Sequence, residues 1–306
     1  MMAASYLSRF LAAMRSLETQ MSALFIGLSD EASRELLRHV DENGNIPIDS
    51  LFAIQEAIGT MVTIRFLGRT SQNTRAPFVE LPTGDILPLS PNSRILFDHA
   101  DRVESIIIEQ QRGIVARLTK NNPVIQGTDL FKPNPLAQFD KLHTWVDPNG
   151  YKLSDRIWRT AGTTRRKLDL FLDERIRQGQ GALQMSRDLE TFLKPGRTLR
   201  TKAPYGTDAS YDAMRLARTE ITRAHARAAE RAAAMNPFVE KMGIRLSGSH
   251  SKPDICDEAE ADGPWPKDEI PPQYRIPMHP QDLCTYYYVM VEDKTAVLNQ
   301  LLGVTA

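Results

Sequence analysis

Several features that mark secreted and membrane proteins are missing from this chain of 306 residues. It has only two cysteines, Cys256 and Cys284, which are too few for a disulfide scaffold and favour synthesis in a reducing cytoplasm. Arg9 and Arg15 interrupt the apolar residues near the N-terminus, so no signal peptide is predicted. No apolar run approaches the roughly 18 to 20 residues that span a bilayer. We therefore expect a soluble protein.

A net charge is also missing, because 38 Lys and Arg balance 38 Asp and Glu. The charge is nevertheless uneven: residues 151–231 hold 18 basic and 10 acidic side chains, a net of +8. The excess allows two interpretations, a patch for a phosphate backbone or basic helices matched internally to acidic flanks. The candidates for non-specific DNA binding are Arg165, Arg166, Lys167, Arg197, Arg200 and Lys202.

Familiar catalytic motifs are absent as well. The sequence has no phosphate-binding glycine loop, no zinc-protease helix and no nucleophile elbow. Glu220 and His225 could act as a general base and its partner, but Glu220 and Arg223 have the spacing of an ordinary surface ion pair on a helix. We therefore expect no enzyme. An acidic cluster is spaced too irregularly for a calcium loop and suggests a solvated or docking surface: Asp254, Asp257, Glu258, Glu260 and Asp262.

The residues that are present predict a mainly α-helical, α+β fold. Apolar positions at helical spacing predict a first helix over residues 7–28, packed on its neighbours or on a partner helix. A second helix is predicted near Asp30 and a third near Asp49, separated by a turn at residues 41–45. A small hairpin over residues 78–89 and a long helix over 93–120 follow.

Residues 121–150 are rich in proline and asparagine and show little periodicity. This composition predicts a linker between an N-terminal helical domain, residues 1–120, and a C-terminal domain, residues 151–306. Ser154 is the expected cap of the next helix, and a shorter helix is predicted over residues 182–193.

The stretch 215–291 predicts a helix, a strand at residues 239–246, a proline-rich loop without regular structure and a strand at residues 285–291. We expect the two strands to pair antiparallel in a small sheet beside the helix. Because side chains alternate along a strand, Tyr286 and Tyr288 are expected on one face and Tyr287 on the other.

Four residues in or beside this loop could bind a structural zinc ion: His250, Cys256, His279 and Cys284. Two sulfur and two nitrogen ligands suit a closed tetrahedral site. The spacings of six and five residues differ from the two-residue knuckle of most zinc modules. A metal-free loop with two partly buried thiols and a disulfide between the cysteines are the alternatives.

Parts of this region resemble a known family, the bacteriophage Mu F-like minor head proteins of the head morphogenesis family. The resemblance covers roughly the second half of the chain. Family members often have a second cysteine soon after the first, and two cysteines after the His-Pro pair, where this chain has one. The residues that carry the resemblance are Arg218, Thr219 and Glu220, the Asp254-Ile255-Cys256 step, His279-Pro280, Cys284 and the segment 153–157 with its basic helix.

The resemblance implies a virion structural protein of a tailed phage, made in the host cytoplasm. It would act in head assembly at or near the portal vertex, contacting portal, capsid or scaffold proteins and packaged DNA. The alternative class is a metal-dependent nuclease or transferase that uses the C-terminal His and Cys loop.

Overall fold

The computed structural model describes residues 2–67, 78–80, 86–88, 90–118, 153–193, 209–248 and 253–302. Within them the protein is mainly α-helical and has two small antiparallel sheets, which confirms the predicted α+β class. The predicted linker over residues 121–150 and the predicted ligand His250 lie outside the described residues. Of the helices described, none has both the length and the apolar character that crossing a membrane requires.

The first helix, α1 (Met2–Leu37), is continuous. The predicted start of a second helix near Asp30 is therefore wrong. The apolar stripe continues past that position, since Leu28, Ala32 and Leu36 are all fully buried. Their spacing of four residues keeps one face of the same helix in the core, while Asp30 is exposed.

The turn at residues 41–45 is confirmed. The Asp41 side chain accepts hydrogen bonds from the backbone N–H groups of Asn43 and Asn45, at 2.9 and 2.8 Å. Gly44 has a φ of 79°, a left-handed conformation that glycine adopts without steric cost. The third predicted helix also exists and begins at Leu51.

The remaining elements before the C-terminal region follow the predictions closely. The two strands of the predicted hairpin pair antiparallel. The elements are α2 (Leu51–Leu67), β1 (Phe78–Glu80), β2 (Ile86–Pro88), α3 (Pro91–Leu118), α4 (Leu153–Arg177) and α5 (Ala182–Leu193).

The contacts of the chain group into two compact units, and those boundaries that lie within the described residues fall inside helices. One unit draws on Met1–Met14, His99–Leu142 and Arg218–Ala306, and the other on Arg15–Asp98 and His143–Ala217. This grouping differs from the predicted division into residues 1–120 and 151–306, because segments from both sides of the predicted linker contribute to each unit. The linker's role as a domain boundary stays a prediction.

The C-terminal part of the first unit contains the candidate site. Its sheet has three strands, β3 (Val239–Arg245), β4 (Trp265–Pro266) and β5 (Thr285–Met290). Their order in the sheet is β4-β3-β5, and both neighbours run antiparallel to β3. The predicted pairing of the two long strands is thus confirmed. The proline-rich loop was predicted without regular structure and instead includes a helix and a short strand. The helices of this region are α6 (Ala209–Met235), α7 (Ile255–Asp262) and α8 (Lys294–Leu302).

The sheet packs on small side chains of α6. Ala226, Ala229 and Ala233 share one core with β3, β5 and both cysteines. Tyr286 belongs to this core and Tyr288 packs against it, and burial raises the pKa of both phenols. The small side chains let the sheet approach the helix closely, which places the loop before β5 against α6.

Candidate metal centre

Metal-ligand side chains from two segments meet beside α6. Cys256 is the second residue of α7, and Cys284 directly precedes β5. Both cysteines are free thiols, with exposures of 0% and 1%. The pairing of β3 with β5 brings the end of the loop back to its beginning, so residues 28 positions apart in sequence share one buried cluster.

The donor atoms form two groups that share Cys256. In the first, Cys256 Sγ lies 3.3 Å from His279 Nε2, which lies 3.3 Å from Asp254 Oδ2. The second joins Cys256 to Asp282 and Cys284, and all three residues are buried. Within each group the donor atoms lie within 4.8 Å of one another.

An identical turn positions each cysteine. Asp254 Oδ1 accepts a hydrogen bond from the Cys256 N–H at 2.7 Å, and Asp282 Oδ1 accepts one from the Cys284 N–H at 2.8 Å. Both cysteines therefore occupy the last position of an Asp-x-Cys tripeptide. In the first turn Asp254 also caps α7, and Asp257 Oδ2 accepts a hydrogen bond from the Asp254 N–H at 2.8 Å.

The second turn is fixed further by its buried aspartate. Asp282 Oδ2 accepts a hydrogen bond from the Met278 N–H at 3.0 Å, so both of its oxygens bind loop amides. Hydrogen bonding with Cys284, then burial and the Asp282 carboxylate, raise the pKa of the Cys256 thiol.

The histidine presents a defined nitrogen to the cluster. His279 Nδ1 lies 3.1 Å from the carbonyl oxygen of Pro280, which can only accept a hydrogen bond. In the tautomer that donates Nδ1–H to this carbonyl, Nε2 presents its lone pair to the cluster and is available to a metal ion. A hydrogen bond from the second ring nitrogen to a carbonyl is the usual way in which a metal-binding histidine is oriented.

Helix α6 holds the loop in place through the predicted motif. Arg218 Nη1 donates to Gln281 Oε1 at 2.7 Å, and the Gln281 N–H donates to Thr219 Oγ1 at 3.0 Å. Gln281 has a φ of 64°, a left-handed conformation that costs a non-glycine residue about 1 kcal/mol. The two contacts with α6 stabilise this conformation, so Arg218 and Thr219 position the loop that bears His279, Asp282 and Cys284.

Replacing Thr219 by Val is expected to lower the free energy of unfolding by about 1 kcal/mol, because the hydroxyl that accepts from Gln281 is lost while the shape is kept. Chemical denaturation followed by circular dichroism measures the change. Thr219→Ser keeps the hydroxyl and is the matched control, so it should lose clearly less stability. Equal losses in both variants would contradict the role of the hydrogen bond.

The third residue of the motif does not contact the loop in this way. Glu220 is 2% exposed and pairs with Arg223, whose side chain is 10% exposed. The prediction of an ordinary surface pair is therefore wrong, because the helix is covered on this side as well. Glu220 and His225 are five residues apart, which directs their side chains about 140° apart around the helix. The His225 ring packs on Phe10, with centroids 4.1 Å apart.

Of the four predicted ligands, the structure places Cys256 with His279 in one group and with Cys284 in the other, and His250 lies outside the described residues. Asp282 was not predicted, and Asp254 was assigned only to an acidic surface. The sequence repeats the tripeptide Asp-x-Cys, and this repeat would have indicated that both aspartates lie beside the cysteines in the cluster.

The predicted DNA-binding residues are only partly described. Arg165 pairs with Glu56 of α2, which supports internal matching of its charge. Arg166 is exposed and Lys167 half-buried on the same helix, α4. The other three residues, Arg197, Arg200 and Lys202, lie outside the described residues.

Comparison with known proteins yields no match to a protein-family model, a curated protein or a solved structure.

Proposed function

We propose that this chain is a minor head protein of a tailed bacteriophage, acting in head assembly at or near the portal. One observation supports the proposal: segments that carry the family resemblance lie together in the fold. Cys256 Sγ lies 3.3 Å from His279 Nε2. Arg218 and Thr219 bind Gln281, which directly follows His279-Pro280 and precedes Cys284.

The proposed role is binding and not catalysis. Glu220, the candidate general base, is buried in an ion pair with Arg223. Both thiols are buried, and Asp282 is engaged by two loop amides. These groups stabilise the C-terminal region. We infer that this region has a structural role and presents its surfaces to portal, capsid or scaffold proteins. A nuclease or transferase would instead have to use His279 and Asp254, whose side chains are 37% and 39% exposed.

The test is whether particles contain the chain. Virions and proheads from the virus or prophage whose genome encodes it would be purified on a density gradient and analysed by mass spectrometry and by high-resolution electron microscopy. We expect the chain in the particles at a copy number far below that of the major capsid protein, with density near the portal vertex. Particles of normal composition and infectivity without the chain would refute the proposal.

Contact with packaged DNA is part of the same proposal. Binding is expected to be independent of sequence and to weaken steeply with salt, because Lys and Arg that neutralise phosphates release counterions. Replacing Arg166 and Lys167 together by Ala should reduce the slope of log affinity against log salt by about 2. Fluorescence anisotropy with double-stranded DNA measures the slope.

The control keeps both charges through the exchange Arg166→Lys with Lys167→Arg, and its slope should equal that of the unchanged chain. Binding that is insensitive to salt would contradict the electrostatic account. No binding even at low salt would show that the basic residues are structural.

A further inference from the structure

We propose that Asp254, Cys256, His279 and Cys284 bind one zinc ion in a closed structural site, and that Asp282 shapes the loop without binding the ion. This goes beyond the proposed head-protein function and does not depend on it. It also replaces one of the ligands expected from sequence, since a carboxylate takes the place of His250.

The donor distances fit a tetrahedral ion. Zinc binds sulfur at about 2.3 Å and nitrogen or oxygen at about 2.0 to 2.2 Å, which sets neighbouring ligand atoms roughly 3.3 to 3.8 Å apart. The distances of Cys256 Sγ and Asp254 Oδ2 from His279 Nε2 are both 3.3 Å. Cys284 lies within 4.8 Å of Cys256 but outside the group of Asp254, Cys256 and His279, so its Sγ must move toward the ion to complete the four ligands.

The two aspartates differ in what their oxygens already bind. Asp282 is buried, and loop amides occupy both of its oxygens. Asp254 uses Oδ1 for the Cys256 amide and directs Oδ2 toward His279. The Asp254 and His279 side chains are 39% and 37% exposed, which gives the ion a path to the buried thiols. Asp254, and not Asp282, is therefore the carboxylate ligand.

The donor set selects zinc over other abundant cations. Magnesium and calcium prefer oxygen ligands, whereas two sulfurs, one imidazole and one carboxylate match zinc in chemistry and in number. On binding, the thiols of Cys256 and Cys284 release their protons to solvent as two Zn–S bonds form, and no oxidant or reductant takes part. Four protein ligands leave no position for water, so the ion would tie α7 to the strand β5 and catalyse nothing.

The experiment uses the full chain, purified under reducing conditions without chelator. Elemental analysis is expected to find one zinc per chain. After removal of zinc by a chelator, cobalt(II) should restore the site with visible bands of tetrahedral geometry and near-ultraviolet absorption from thiolate ligation. Loss of zinc should also lower the melting temperature, because binding energy in such a site is largely folding energy.

The variants separate ligands from neighbours. Three ligand variants, Cys284→Ser, His279→Ala and Asp254→Asn, should each weaken zinc binding. Each loss should exceed the roughly 10- to 100-fold loss that is typical when a residue that only orients a ligand is replaced. Asp282→Asn should lower thermal stability and still bind one zinc. Glu258→Gln is the matched control, since it removes an exposed charge from α7 and should leave zinc affinity unchanged.

Several outcomes would overturn the proposal. Less than stoichiometric metal, both as purified and after equilibration with zinc, would refute the site, as would cobalt spectra without thiolate absorption. Loss of zinc from Asp282→Asn with retention in Asp254→Asn would refute the ligand assignment. DNA cleavage by the zinc, magnesium or manganese form that disappears in a folded His279→Ala variant would refute a closed, structural role. The unchanged chain provides the cobalt spectrum, so the test holds even if a variant fails to fold.

Discussion

Replacing Arg223 by Met is expected to lower the free energy of unfolding by about 3 to 5 kcal/mol. The Glu220 carboxylate is 2% exposed and pairs with the Arg223 guanidinium on the next turn of α6. Removing the arginine leaves a buried negative charge without its cation. The cost of desolvating that charge is then no longer offset, and it exceeds the net benefit of the pair itself.

Chemical denaturation of the single variant Arg223→Met, of Glu220→Gln and of the double variant measures this effect. The double variant should recover part of the loss, because neither buried charge remains. Arg177→Met is the matched control: Arg177 pairs with Asp173 four residues away, but its side chain is 65% exposed. That exposed pair should contribute less than about 1 kcal/mol. A loss at Arg223 no larger than at Arg177 would contradict the buried ion pair.

The same ion pair shows why sequence periodicity described α6 incompletely. Charged residues at spacings of three and four are compatible with a solvated helix face, and nothing local distinguishes that face from a buried one. In the structure Thr222, Ala224 and Ala226 are buried together with Glu220 and Arg223, so core surrounds most of this part of the helix. Burial here depends on which distant segments pack against α6, and a pattern within one helix does not contain that information.

The strands and the cluster illustrate the opposite case. β-Branched and aromatic residues identified β3 and β5, because a half-buried strand selects them directly. Helix α7 was missed, since eight residues between prolines give too little periodicity, although its capping box of Asp254 and Asp257 is visible in the sequence. Cys256, His279 and Cys284 were predicted as neighbours because the two strands bracket them. The contribution of Asp254 became evident only from its position at the start of α7.

The second large effect concerns a buried histidine and pH. His225 is 7% exposed, its ring packs on Phe10, and burial lowers the pKa of the imidazole from 6.5 to about 4. His225 also lines a cavity of about 460 Å³. Three cationic residues also line this cavity, Arg117, Arg245 and Lys294, and they disfavour a further positive charge on His225.

The sign of the pH dependence follows from these two pKa values. Below pH 6.5 the unfolded chain binds a proton at His225, whereas the folded chain does not until about pH 4. Protonation therefore favours unfolding between these values. The neutral, packed ring makes its full contribution to the free energy of unfolding above pH 6.5. This contribution falls by about 3 kcal/mol as the pH approaches 4.

We expect the variants His225→Phe and His225→Gln to lack this part of the pH dependence, because neither side chain binds a proton. Phe keeps the contact with Phe10 and should retain more stability at pH 7 than Gln, which buries an amide. Denaturation at a series of pH values between 4 and 7 measures the difference between each variant and the unchanged chain, so that titrating carboxylates cancel. As the pH falls from 7 to 4, the free energy of unfolding of each variant should rise by about 3 kcal/mol relative to that of the unchanged chain. Parallel curves would show that His225 has the same pKa in the folded and unfolded states, and that the burial on which this prediction depends is not maintained in solution.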